Sequence, residues 1–481
     1  MSLPTRHPTL YMAIASVIFI VSSAWHSPPA IAAPWQVGVA KAVITPAEPM
    51  WMAGYAARNR PSEGKLNELN AKVLVIRPGA DGPDTNPTNP TAENAAADCG
   101  VLITLDLVGI DRELSSSICR TLLEKHGLAR RQIAICTSHT HSGPVVGRNL
   151  RPLHLELLDA AQQQLVTQYA NHLERTVVDL VTGALGNMQA CELAWGTGHA
   201  AFAVNRRNNP EPSVPERRAA GTLVGPFDHD VPVLTARTSA DHRLLAIVFG
   251  YACHATVLDG YDWCGDYPGF AQDELEAAFP GTTAMFWAGC GGDQNPIPRR
   301  QVELVKQYGQ ELAEAVQSVV AAEVQPLAGQ LSMQYAEIPL ALDTLPTAAQ
   351  LAEEAQSDNR YVAARARILL SKLESGTGLD QDYPYPVGRW DLGGSVEFIF
   401  LGGETVVDYA LRIKSELHGP RTWVAGYTND VMAYIPSRRV LGEGGYEGGG
   451  AMIYYGLPTV WSPEVEQTIV AEVRRQAKAA R

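Results

Sequence analysis

Two histidines one residue apart, in Thr137-Ser138-His139-Thr140-His141-Ser142-Gly143-Pro144, are the residues of this chain best suited to chemistry. A neutral imidazole is the commonest protein ligand for a zinc-like ion, and it is the side chain most able to carry protons near neutral pH. The pair follows Arg131-Gln132-Ile133-Ala134-Ile135-Cys136, a β-branched apolar run that reads as a buried strand. Alternate residues of an extended segment point the same way, so both imidazoles leave on one side, and Ser142-Gly143-Pro144 ends the strand. The spacing fits a metal site; taken alone, it fits polar loop structure as well.

Further clusters stand at the ends of expected strands, where open α/β sheets place their sites. Phe249-Gly250-Tyr251-Ala252-Cys253-His254 delivers His254, which reads either as a ligand or as a hydrogen-bonded core histidine. Leu401-Gly402-Gly403-Glu404-Thr405 opens a helix with a carboxylate, a position that the helix dipole favours without any ligand. Gly426-Tyr427-Thr428-Asn429-Asp430, followed by Tyr434 and Tyr446-Glu447-Gly448, supplies tyrosines and glycines that suit a site or ordinary turns. Gly289-Cys290-Gly291-Gly292-Asp293-Gln294-Asn295-Pro296 follows an aromatic strand, and its glycines allow close backbone approach or a tight loop. The chain has no G-x-S-x-G elbow, HExxH, P-loop or dinucleotide fingerprint.

The elements that must position these residues alternate in type. Strands are expected over 71–76 and 101–106, separated by a surface insertion rich in Pro, Gly, Asn and Ala over 78–98. Helices are expected over 112–126 and 155–185, a strand pair over 231–251 with its turn at 239–242, and a helix over 267–279 leading to a strand over 283–287. Two long helices, 301–324 and 347–374, flank another hairpin strand. A Gly/Pro/Tyr-rich loop over 376–394 then leads to a strand over 395–401, a helix over 405–417 and a strand over 422–427. This order argues for an α/β fold of mixed β-sheet layers flanked by helices. No repeat or linker divides the chain, so residues 33–481 are expected to form a single large catalytic domain.

Residues 1–32 read as a signal peptide: Arg6 gives a positive start, 11–24 are apolar and uncharged, and Ala30-Ile31-Ala32 offers small residues for cleavage. The competing reading is a retained anchor, for which the apolar run is short. Cleavage implies a secreted or periplasmic protein with no stable membrane insertion. A formal charge of −13 and the lack of any Lys/Arg run argue against a nucleic-acid partner and leave a small-molecule substrate. The seven cysteines are odd in number, match no zinc-ribbon or CxxC spacing, and are too sparse to staple a fold of this size.

Taken in order, His-Thr-His-Ser-Gly-Pro, Asn205-Arg206, Cys253-His254, Gly403-Glu404, Tyr434-Ile435 and Tyr446-Glu447-Gly448 resemble the neutral/alkaline ceramidase family, over most of the chain from about Val37-Gly38-Val39-Ala40. The resemblance implies a zinc-dependent amidohydrolase that cleaves the amide bond of an N-acyl, ceramide-like substrate. It implies that His139, His254, Glu404 and Tyr434 hold Zn2+, a donor set acceptable to that ion, and that His141, Arg206 and Tyr446 line the substrate site. Metal-activated water would attack, His141 would shuttle the proton, and Arg206 and Tyr446 would stabilise the oxyanion.

Two departures stand out. The family's Gly-Asp-x-Ser-Pro segment is Gly292-Asp293-Gln294-Asn295-Pro296 here, and the Asn295 amide can donate or accept hydrogen bonds but cannot take an acyl group. The chain also ends soon after Tyr446-Glu447-Gly448, which leaves no length for the family's C-terminal immunoglobulin-like domain. A same-scaffold hydrolase of a non-lipid amide or ester, and a metal-containing binding protein without turnover, are the alternatives. The export reading has a direct check: mass spectrometry of secreted or periplasmic material is expected to find an N-terminus at or near Ala33, and intact Met1 protein in membranes would support the anchor instead.

Overall fold

The computed structural model describes residues 1–2, 35–79, 98–322, 324–327 and 331–479. The signal-peptide reading and nearly all of the expected insertion lie outside these residues. Strands β1 (Trp35–Val43), β2 (Asn70–Arg77), β3 (Gly100–Leu105), β4 (Ile133–Thr137), β5 (Gln189–His199), β6 (Asp230–Thr238), β7 (Leu244–Tyr251) and β8 (Thr283–Ala288) form one mixed sheet in the order β8-β7-β6-β5-β1-β2-β3-β4. A short strand β9 (Gln325–Leu327) joins it along β5. A second sheet runs β10 (Leu331–Ala341), β11 (Asp382–Leu392), β12 (Val396–Leu401) and β13 (Thr422–Ala425), in that order.

The period-2 alternation of these strands decides the layering. Leu74, Ile76, Leu102, Ala134 and Cys136 point from the large sheet toward Phe398, Phe400 and Trp423 of the second, forming one core between the sheets. Their neighbours Val73, Val75, Ile103 and Ile135 point the other way, against helices α1 (Arg112–His126) and α2 (Ala160–Gly186). Farther along the same sheet, Ile247 and Phe249 meet α3 (Asp266–Ala278) and α4 (Val302–Ala321). Behind the second sheet, Ile399 and Leu401 pack on later helices. The chain is thus an α/β fold of helices, sheet, sheet and helices. The large sheet is curled enough for the Lys72 ammonium in β2 to donate to the Ala284 carbonyl of the far-edge strand β8 at 2.8 Å. That curl lets loops after distant strands share one site.

Most expected elements form where the pattern places them, and three differ. The helix expected over 155–185 starts with a 3-10 turn, Leu155–Leu157, and continues as α2 only after the Asp159 carboxylate caps the Gln162 amide. The helix expected over 347–374 is two, α5 (Ala348–Glu354) and α6 (Arg360–Glu374), because the Asn359 side chain accepts from the Tyr361 and Val362 amides and begins a new helix. The loop expected over 376–394 contains strand β11. Its Pro384 and Pro386 mislead as breakers, yet they fall in the part paired to β10 alone, where the missing N–H leaves no gap in a ladder with β12. Strand β5, at the centre of the large sheet, carries no clear signal in its sequence.

None of the seven cysteines is in a disulfide, and all are buried. Among the described residues, no helix is long and apolar enough to cross a membrane. Phe400 stacks on Trp287 with ring centroids 4.8 Å apart and ties the two sheets together. Phe400→Ala is expected to cost about 3–5 kcal/mol, read as a lower urea midpoint with unchanged slope.

Candidate metal centre

Four chain segments bring their side chains to one point. Strand β4 ends at Thr137, and His139 adopts φ 60°, so the two histidines of the pair converge through a turn rather than by strand alternation. A non-glycine residue in that region is strained, and such strain concentrates at functional sites. Beyond β7, the His254 amide donates to the Gln294 carbonyl at 2.9 Å. Glu404 and Tyr434 are register partners in a two-residue parallel pairing, Glu404–Thr405 with Tyr434–Ile435. That pairing joins two distant motifs, and no sequence pattern announces it.

The hydrogen bonds set the protonation of the imidazoles. His139 Nδ1 lies 2.6 Å from the Val108 carbonyl, and His254 Nδ1 lies 2.7 Å from the Gly291 carbonyl. A carbonyl only accepts, so each Nδ1 carries a proton and each ring turns its Nε2 inward, the orientation in which a neutral imidazole offers its lone pair. Both Nε2 atoms face Glu404 Oε2, at 3.1 Å from His139 and 3.0 Å from His254. Glu404 Oε1 accepts from the Tyr455 hydroxyl, which leaves Oε2 as the oxygen facing the two imidazoles. His141 Nε2 is 3.1 Å from His139 Nε2, and the Tyr434 hydroxyl is 3.0 Å from His254 Nε2. Nitrogen and oxygen atoms of His139, His141, His254, Glu404 and Tyr434 therefore crowd one buried point. A cation satisfies that arrangement, and the donor set of imidazole, carboxylate and phenol suits a zinc-like ion. His139, His141 and His254 alone place ligand atoms within 4.8 Å of one another.

The electrostatics agree. Burial, followed by the nearby Arg206, holds His254 down to about 4. Burial and then His139 and His254 hold His141 well below its usual range. Burial works to raise the Glu404 carboxyl, but the contacts with His139 first, and then with His254, override it and keep Glu404 well below the usual carboxylate range. Burial and the neighbouring Glu404 push the Tyr434 phenol well up. The pocket holds a fixed negative charge among imidazoles that resist protonation.

The point opens into a cavity of about 560 Å3 whose lining includes His141, His254, Tyr434, Arg206, Asn295 and Tyr446. The eight residues singled out from the sequence are thus together, with His139 and Glu404 directly behind the cavity wall. A short antiparallel pairing sets Gln294 opposite Asn205 and Asn295 opposite Val204, which puts Arg206 beside Asn295. Arg206 Nη1 donates to Asn295 Oδ1 at 3.1 Å, Nη2 to the Tyr434 hydroxyl at 3.1 Å, and Nε to Glu447 at 2.6 Å. Tyr446 is 48% exposed at the rim, its ring 5.3 Å from that of Tyr434.

Several positioning residues escaped the sequence reading. Tyr455 orients Glu404 from a helical Met452–Tyr455 segment without any motif. Arg58 is buried, pushed down to about 10 chiefly by that burial, and donates to the carbonyls of His141 at 2.6 Å and Gly260 at 2.9 Å. Gly54 has φ 97°, and a Cβ there would stand 2.4 Å from the His141 ring. Glycine alone leaves room for that imidazole. Glu447 was legible as part of Tyr446-Glu447-Gly448, but its pairing with both Arg206 and Arg207 was not.

No protein-family model and no curated protein matches this sequence. Solved structures do. The chain is similar to the crystal structure of neutral ceramidase from Pseudomonas aeruginosa at TM-score 0.69 and 18% identity, covering 93% of this chain and 74% of that one. It is also similar to a ceramidase complexed with C2 at TM-score 0.67 and 18% identity, covering 92% and 76%. The architecture is therefore the one found in neutral ceramidases. The metal centre has its own test: purified protein is expected to hold about one divalent ion per chain, and His139→Ala or His254→Ala to lose most of it after dialysis, as measured by emission spectrometry.

Proposed function

We propose that this chain is a metal-dependent hydrolase that cleaves the amide bond of an N-acyl compound, with zinc held by His139, His254, Glu404 and Tyr434. The observation that carries the reading is the convergence of two inward-facing imidazole Nε2 atoms on the buried Glu404 Oε2 at 3.0–3.1 Å. The likeness to solved proteins titled ceramidases supports the N-acyl amide as the bond broken. We also propose, from the N-terminal sequence, that the enzyme acts after export with residues 1–32 removed.

A zinc ion at this point supplies Lewis acidity toward a substrate carbonyl and makes water nucleophilic near pH 7. The residues of the chain do the rest. His141 is neutral and stands at the cavity side of the cluster, so its Nε2 accepts the proton of the attacking water and returns it to the leaving nitrogen. Arg206 holds Tyr434 and Asn295 in place through Nη2 and Nη1. Because the guanidinium can only donate, Asn295 must present Oδ1 to it, which leaves the Nδ2 hydrogens for the carbonyl oxygen as charge develops there. Tyr446 adds a hydroxyl donor from the rim. Asn295 cannot accept an acyl group, so attack by water is the route open to this site.

Loss of one oxyanion donor typically costs ~3 kcal/mol, about two orders of magnitude in rate. Asn295→Ala is therefore expected to be slow but measurable in kcat with its metal retained, and Glu404→Ala to fall to background with its metal lost. Full activity in Asn295→Ala removes the amide's role, and full activity in Glu404→Ala sinks the metal-dependent mechanism built on that carboxylate.

A further inference from the structure

We infer that the substrate is a short-chain N-acyl compound whose amide is flanked by hydrogen-bond-accepting oxygens, and not a long-chain lipid amide. The inference rests on the hydrolase reading and names the substrate class of the same site. It comes from the chemistry of the cavity wall. Among the described residues lining the cavity, Ile297 alone is aliphatic. The wall also carries Arg206, Arg207, Arg299, Glu211, Glu443 and Glu447, beside the tyrosines Tyr55, Tyr434 and Tyr446. A long acyl chain gains affinity by moving each methylene from water to a continuous apolar surface, and a wall in which one aliphatic side chain and three phenol rings are interleaved with guanidinium and carboxylate groups offers no continuous apolar track of that length.

The same wall holds donors that the protein does not use. Arg299 commits Nε and Nη2 to Glu211 Oε2, at 3.1 and 2.8 Å, and its Nη1 has no partner among the described residues. Asn295 spends Oδ1 on Arg206 and keeps both Nδ2 hydrogens. The half-exposed Tyr446 hydroxyl also lacks a protein partner. Polar sites in a pocket set orientation and specificity, and unspent donors select ligands that bring acceptors. Arginine is paired with glutamate throughout: Arg206 and Arg207 with Glu447, Arg207 with Glu443, and Arg299 with Glu211. Such a wall imposes no strong net field, so the acceptor oxygens can belong to a carboxylate or to hydroxyls.

The test uses the zinc-loaded full chain with an N-acetyl amino acid, an N-acetylhexosamine and N-hexadecanoyl-sphingosine in detergent micelles. Binding is read by calorimetry and cleavage by amine release. At least one polar probe is expected to bind and to be cleaved with kcat/KM about tenfold or more above that of the lipid, and the better of the two identifies the source of the oxygens. Arg299→Met is expected to raise KM for that probe about tenfold with zinc content unchanged, and Arg299→Lys to recover part of the loss. Preference for the micellar lipid, failure of both polar probes to bind, or an unchanged KM in Arg299→Met overturns the inference. Polar probes that bind and are not cleaved leave it standing and overturn the hydrolase reading instead.

Discussion

A carboxylate buried to 3% exposure beside imidazoles that resist protonation is the constraint on which the rest of this structure depends. Taking an ion out of water costs several kcal/mol, and the cost is recovered only where fixed partners surround it. Glu404 has such partners from several parts of the chain. Its Oε1 takes the Tyr455 hydroxyl, its amide donates to the Ala433 carbonyl at 2.8 Å, and its Oε2 faces the Nε2 atoms of His139 and His254. The remaining lack is positive charge at the centre. A divalent ion there converts a set of mutual repulsions into one coordination shell.

The backbone around that point is shaped to hold the geometry. His139 and Tyr427 both adopt positive φ, at 60° and 53°, and their rings lie 4.5 Å apart. Residues with side chains tolerate that conformation only where the surroundings overdetermine it. Here Arg58 clamps the His141 carbonyl, and the buried Asp266 carboxylate accepts the Val257 and Leu258 amides at 3.2 and 3.0 Å. Gly292 lets the 289–292 turn lie against the Glu404 backbone, where a Cβ would stand 2.6 Å from the Glu404 carbonyl oxygen. The strain at His139 is thus supported by an outer layer of hydrogen bonds, the usual arrangement where a ligand must be aimed.

Shared architecture does not carry shared specificity. The fold is that of the solved ceramidases, yet at 18% identity most side chains around the site are free to differ. The cluster that faces the ion and the wall that faces the substrate answer to different demands. The cluster requires particular donor atoms at fixed distances, whereas the wall requires only chemistry complementary to the ligand. A polar wall around a cluster of imidazoles and a carboxylate is therefore physically coherent.

Much of the fold was legible in the sequence because local patterns carry it. The helix over 112–126 follows from its apolar spacing, and most strands of both sheets, β5 and β11 apart, follow from their short apolar runs. The candidate site was legible as residue types at strand ends, in an order resembling one family, and all of these residues meet around one cavity. Four things were not. The break at Asn359 and the strand through Pro384 and Pro386 depend on which hydrogen bonds tertiary neighbours leave open. The roles of Tyr455 and Arg58 depend on contacts across long stretches of chain. The polarity of the wall depends on which faces the packed loops turn inward. Sequence determined the donor atoms and the elements that carry them, since both are local properties. Tertiary structure alone decided that the sheet curls, that Glu404 pairs with Tyr434, and that the lone pairs converge, because each requires residues far apart in sequence to be brought within a few ångströms.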